Sequence, residues 1–150
     1  LDIINYLQER LKDIDFVSFE FTGPYLYKGQ TAGSNIIEDL RINDLTVGGI
    51  CSSVPGNITF KLNSDWEINE IEVGGYKGST TIWYPENGSG ATISTSEDGK
   101  NWVTVGKIPS GFGKEVKTIK LKTTVARYLK FSHNSYLGIS YLNIKKMEDK

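Results

Sequence analysis

Residues 96–102 read SEDGKNW and set an acidic pair, Glu97 and Asp98, beside Lys100. Such a cluster could be poised for chemistry, but Asp98-Gly99 also has a simple turn mechanism. Glycine accepts the positive φ that a tight hairpin needs. Other reactive groups are sparse: His133 is the only histidine and Cys51 the only cysteine. A two-histidine metal site is therefore excluded, and a Ser-His-Asp arrangement would rest on a single loop residue. Cys51 and His133 could in principle make a nucleophile pair. No activating signature surrounds Cys51, however, and a lone cysteine is more often a small buried hydrophobe. A glycosidase needs two carboxylates facing across a cleft, and the loops that matter below offer mainly Glu86 and Glu115. Gly111 and Gly113 flank Phe112 without a phosphate-loop pattern. The expectation is a protein that is not an enzyme.

Binding chemistry is better represented. A sugar presents an apolar C–H face and a rim of hydroxyls, so its site needs an aromatic platform and planar hydrogen-bonding side chains. The stretch IWYPENGSG supplies Trp83, Tyr84, Glu86 and Asn87, and SHNSYLG adds His133, Asn134 and Tyr136. Tyr76, Lys77 and Phe112 complete the candidate ligand-binding set. Several have a blander account: Trp83 or Tyr84 packing beneath its loop, His133 as a satisfied polar group at a strand end, Tyr136 capping the base of a barrel, Lys77 solvated. Trp66 and Trp102 read as structural.

These residues need a scaffold. Residues 2–14 place Ile3, Ile4, Leu7, Leu11 and Ile14 at helical spacing, which predicts one short amphipathic helix. From there the pattern changes to period two. DFVSFEF, NITFKL, INEIEVGGY, ATISTS, WVTVGKI, VKTIKLK, RYLKFS and ISYLNIK are short and β-branched, and Gly, Pro, Asn, Asp or Ser bounds them. Many short strands without helices between them predict an all-β chain, an antiparallel β-sandwich or jelly roll with a short N-terminal helix. Alternation nominates Ile58, Phe60 and Leu62, Ile71 and Val73, Leu129 and Phe131, and Leu142 and Ile144 for the core. Residues 1–21 read as a helix-and-strand appendage and 22–150 as the sandwich domain. Consecutive loops alternate ends when strands run up and down. Segments 63–67, 96–101 and 122–126 then fall at one end as short charged turns. The longer segments 47–56, 76–90, 109–115 and 132–138 fall at the other, and they carry the aromatics. Aromatic loops at one end of a rigid sandwich are how binding modules are built.

Length and composition fit this. A chain of 150 residues suits one domain that buries roughly 70% of its unfolded surface, so neither disulfide nor metal is required. No apolar run is long enough to span a membrane as a helix. The chain begins at Leu1 with no signal-peptide pattern, which suggests a processed product or a piece of a larger protein. Its formal charge of −1 is unevenly spread. Residues 1–75 hold 5 Lys and Arg against 12 Asp and Glu, a balance of −7, and residues 76–150 hold 12 against 6, or +6. A basic face for nucleic acid or anionic lipid is one reading. The stronger one is that lysines on short strands solvate an outer face and blunt exposed edges. Asn57-Ile58-Thr59 and Asn87-Gly88-Ser89 match the N-glycosylation acceptor pattern, a match that chance easily supplies.

The order INEIEVGGY, long loop, ATISTSEDGKNWVTVG, ARYLKFSHNSYLGISYLNI resembles the discoidin, or coagulation-factor C-type, domain of the galactose-binding-like superfamily. Its most specific piece is the turn with Ser96, Asp98, Gly99 and Trp102, followed by the strand that opens with Arg127 and Tyr128. The likeness covers roughly residues 32–146. The resemblance implies a non-catalytic jelly-roll module that recognises sugars, anionic headgroups or protein partners through loops at one end. Two departures stand out. The disulfide that often joins the termini of the family is absent, and the Asp-Gly turn of its structural calcium site is missing from SNIIEDLRINDLT. The last strand offers Asn143 in place of an acidic residue. No cofactor is expected, with Asp39 and Asp44 as weak calcium candidates.

Two functions stay open. One is carbohydrate recognition or adhesion within a larger secreted, cell-surface or virion protein, with a glycan or protein ligand, no nucleic acid and no integral membrane segment. The other is a structural protein–protein interaction module that docks its parent into an assembly, which the apolar stripe of the N-terminal helix favours.

Overall fold

The computed structural model describes residues 3–4, 13–21, 40–41, 50–52, 55–75, 88–110, 115–135 and 137–147. Among the described residues seven strands follow in chain order: β1 (Phe16–Phe21), β2 (Ile50–Ser52), β3 (Gly56–Gly75), β4 (Thr92–Ser96), β5 (Val103–Lys107), β6 (Val116–His133) and β7 (Leu137–Ile144). All pairings are antiparallel, in the order β2-β7-β3-β6-β4-β5, with β1 added on β3.

The two long strands make the sandwich. A straight strand of 20 residues would span about 65 Å. Both ends of β3 instead reach the start of β7: Gly56 N donates to Ser135 O at 2.9 Å, and Gly75 stands opposite Ile139. β3 therefore doubles over, and β6, paired with it from Gly56↔His133 to Gly74↔Val116, doubles over with it. The ladder is interrupted between Lys61 and Trp66, where the ribbon turns its corner. One layer holds β2, β7, residues 66–75 and the first half of β6. The other holds β1, residues 56–62, the second half of β6, β4 and β5.

The inward positions of both layers form one apolar core. All nine residues nominated by alternation, Ile58, Phe60, Leu62, Ile71, Val73, Leu129, Phe131, Leu142 and Ile144, are buried in it. Phe60 sits at the centre, edge-on to Phe16 at 5.0 Å and to Phe131 at 6.1 Å between ring centroids. Such aromatic pairs add about 0.5–1.5 kcal/mol each beyond the area they bury. The layers meet closely at Gly106, where an added Cβ would lie 3.0 Å from Leu121 Cδ2.

The corner is fixed by polar contacts. Trp66 Nε1 donates to Asn63 Oδ1 at 2.7 Å, Asn63 Nδ2 to Asp13 O at 3.0 Å, and Asn63 N to Asp15 O at 2.9 Å. These bonds tie the lead into β1 to the fold of β3. Arg41 adds a second tie, with an ion pair to Asp15 at 2.8 Å and a bond to Phe16 O at 3.2 Å. Ile3 and Ile4 are helical and exposed, while residues 5–12 lie outside the described residues. Residues 13–15, the expected end of the predicted helix, are not helical, and Ile14 is buried in the sandwich core.

Candidate functional site

Loop counting separates the two ends of the sandwich correctly where the residues are described. At the first end the 96–101 turn meets the β6 corner: Thr95 Oγ1 and Thr124 Oγ1 lie 3.4 Å apart, and a small hollow beside them is lined by both segments. The turn itself is closed on its own groups. Ser96 Oγ accepts from Gly99 N at 2.8 Å and Asp98 N at 3.2 Å, and it lies 3.0 Å from Asp98 Oδ1. Asp98 Oδ1 accepts from Lys100 N and Asn101 N, both at 2.8 Å, and Oδ2 accepts from Asn101 Nδ2 at 2.7 Å. These donors, the backbone of Asn101 foremost, hold the Asp98 carboxyl well below the usual carboxylate range. Gly99 takes φ +79°, and Tyr128 packs beside it. SEDGKN is a hairpin whose acidic group is spent on structure.

The second end holds the candidate site. β4 begins there, β6 ends there, and Thr92 stands opposite Ser132. Chain reversal after β6 brings Ser135 onto Gly56, a position where only glycine fits: a Cβ would lie 2.5 Å from Leu137 Cβ and 2.7 Å from Ser135 O. The stem of the preceding loop is clamped onto the end of β5 by Gly90 N to Ile108 O at 2.8 Å and Ile108 N to Ala91 O at 2.9 Å. Gly90 supplies the left-handed turn, φ +84°, that this clamp needs.

These constraints shape an open depression of about 490 Å³ lined by Gly90, Thr92, Ser132, His133 and Asn134. Asn134 is exposed and His133 half-buried. The described lining offers hydroxyls, an imidazole and a carboxamide, all able to donate or accept, and among the described residues it holds no carboxylate. Such a lining suits a polyhydroxylated ligand.

Of the predicted site residues, His133 and Asn134 come together here. Tyr76, Lys77, Trp83, Tyr84, Glu86, Asn87, Phe112 and Tyr136 lie outside the described residues, as do Asp39 and Asp44. Gly90, Thr92 and Ser132 were not anticipated; only the pairing of β4 with β6, strands not consecutive in the chain, reveals them. Cys51 stands opposite Gly138 in β2, and His133 opposite Gly56. Among the described residues no group of three His, Cys, Asp or Glu could hold a metal. Asn143, on the last strand, donates to Glu72 Oε1 at 2.8 Å.

A second hollow, about 370 Å³, lies at the opposite end between residues 13–16, Arg41 and residues 142–146. Its polar groups serve the fold, through the Asp15–Arg41 pair described above. It reads as the seam that joins β1 to the sandwich. No helix among the described residues is long and apolar enough to cross a membrane.

Residues 33–144 match the F5/8 type C domain, while a search of curated proteins finds no significant match. Among solved structures, the fold is similar to the CBM32 of AlyQ in complex with 4,5-unsaturated mannuronic acid, at 19% identity and TM-score 0.64 over 91% of this chain and 99% of that one. It is also similar to CpGH89CBM32-5 from Clostridium perfringens in complex with GalNAc-β-1,3-galactose, at 18% identity and TM-score 0.63 over 85% and 93%. A third is the lectin binding domain of Lectinolysin complexed with Lewis b, at 12% identity and TM-score 0.67 over 87% and 92%. At such identities the likeness establishes the fold, an antiparallel β-sandwich.

Proposed function

Because the chain belongs to the F5/8 type C domain family, we propose that it is a non-catalytic carbohydrate-recognition module working through the loop end of its sandwich. One observation carries the reading: His133 and Asn134 share an open depression with Thr92 and Ser132. Ring hydroxyls would be met by the imidazole, the carboxamide and the two side-chain hydroxyls. Trp83 or Tyr84 would supply the apolar platform, and Tyr76, Lys77, Glu86, Asn87, Phe112 and Tyr136 its surroundings. Fold neighbours solved with mannuronic acid, GalNAc-β-1,3-galactose and Lewis b support the ligand class. The module would serve a larger secreted, cell-surface or virion protein.

A glycan array probed with the isolated chain tests this. Saturable binding is expected, lost on Asn134→Ala or Trp83→Ala with the fold unchanged; an array without hits would sink the reading.

A protein-docking role has one observation in its favour. Ile3 and Ile4 are 65% and 66% exposed, and large apolar side chains side by side in water favour a partner. Removing residues 1–12 would then change the oligomeric state or a partner's affinity; an unchanged soluble monomer counts against it.

A further inference from the structure

The two outer faces of the sandwich treat charge differently. On the face of residues 66–75, the first half of β6 and β7, most lysines are matched to carboxylates, Lys122 being the exception among the described residues. Lys120 bonds Glu70, whose carboxyl is held below its ordinary range chiefly by that bond, and Lys145 lies 3.7 Å from Glu72. Lys117 similarly lies 3.5 Å from Glu115.

The opposite face can be read rung by rung. Lys107 stands opposite Thr92, Thr92 opposite Ser132, and Ser132 opposite Asn57. Two residues along, Lys130 lies between Ser94 and Thr59; two further, Tyr128 lies between Ser96 and Lys61. The residues between these, Ile58, Phe60, Ile93, Leu129 and Phe131, are buried, so the rungs point outward. Lys107, Lys130 and Lys61 therefore form a diagonal that starts at the rim depression and crosses the face. Among the described residues no carboxylate pairs with Lys61, Lys107 or Lys130. Lys130 Nζ rests 4.0 Å above the Trp102 ring, which fixes its ammonium in place. Glu20, opposite Thr59, is the one acid on the described strands of this face.

We propose that this face extends the rim depression into a track for an acidic polysaccharide, whose carboxylates meet Lys107 and Lys130 while its hydroxyls meet Thr92, Ser132 and Thr59. The proposal rests on the carbohydrate reading above and specifies its substrate class. An ammonium is a point charge with rotatable donors, suited to carboxylates spaced along a chain. A single-stranded nucleic acid would want open aromatic faces for its bases, and Lys130 occupies a face of Trp102.

The test is binding of the full 150-residue chain to polygalacturonate and to its fully methyl-esterified form, which keeps the backbone and loses the charge. The acid form should bind about tenfold more tightly at low salt, with the advantage gone at high salt. Lys107→Ala and Lys130→Gln should each weaken the acid form roughly threefold, and together about tenfold. Lys107→Arg should bind as the parent does. Because Lys130 packs on Trp102, Lys107→Ala with an unchanged thermal midpoint is the decisive variant. Equal binding of acid and ester would overturn the proposal and leave the carbohydrate reading standing, as would binding of neither form by a chain that takes a neutral glycan on an array. No glycan of any kind would overturn both. Equal competition by single-stranded DNA would make this a general polyanion face and overturn the proposal.

Discussion

Asp65 Oδ1 lies 3.0 Å from Arg127 Nε, and this contact joins the two places where β3 and β6 turn from one layer into the other. Arg127 opens the strand that the family resemblance singled out, so its conspicuous residue belongs to the corner and not to the ligand end.

Both partners of that pair are part-exposed, so its worth is set by a screened surface ion pair, about 0.2–1 kcal/mol. A double-mutant cycle on Asp65→Ala and Arg127→Ala, read by urea denaturation, should give a coupling in that range that shrinks in high salt. A coupling of zero would mean that the bulged ladder alone bends the ribbon.

Asp98 predicts a pH signature. Its folded carboxyl titrates below its ordinary value because backbone and side-chain donors favour the charged form. A depressed folded value means that the stabilisation is fully present above the unfolded value of about 3.9 and is lost as pH falls through the folded one. Asp98→Asn should therefore lower the urea midpoint at pH 7. The gap to the parent should narrow on acidification below about pH 4. A gap that stays constant from pH 7 to pH 2 would contradict this origin.

Gly56 and Gly90 flank the same rim for opposite reasons. Alanine at Gly56 must displace Leu137 Cβ or the Ser135 carbonyl, and overpacking of this kind costs about 1–3 kcal/mol. Alanine at Gly90 meets nothing within 4 Å but inherits φ +84°, a backbone strain of about 1–2 kcal/mol. Gly90→Asn should recover part of that loss, since asparagine tolerates the left-handed region. Gly56→Asn should be worse than Gly56→Ala. Thermal midpoints of the four variants check both statements.

Core residues were legible in the sequence because a half-buried strand writes its burial every second residue, as in Ile58, Phe60 and Leu62. The hairpin at Asp98-Gly99 was legible because its chemistry is local. The depression was only half legible. His133 and Asn134 are neighbours in sequence, but Thr92 reaches them through a β4–β6 pairing some forty residues apart. Ile14 was assigned to a helical stripe because it keeps spacing with Leu11, whereas the Asn63 bonds to Asp13 and Asp15 hold the chain beside β3 and put that side chain in the core. The diagonal of lysines was invisible for the same reason as Thr92: its members belong to three strands that only the register aligns.

The doubled ribbon of β3 and β6 also governs how the domain comes to be folded. Its rungs join residues 42 positions apart at Gly74 and Val116, and 77 apart at Gly56 and His133. Neither layer can close until the second strand exists, so on a ribosome β1 and β3 must wait for residues 116–133 to emerge. Loop closure over such separations comes before any reward, which puts refolding in the slow, millisecond-to-second range of sheet proteins rich in distant contacts. Refolding after stopped-flow dilution from urea should show it, and truncation at residue 115 should leave a chain without cooperative unfolding.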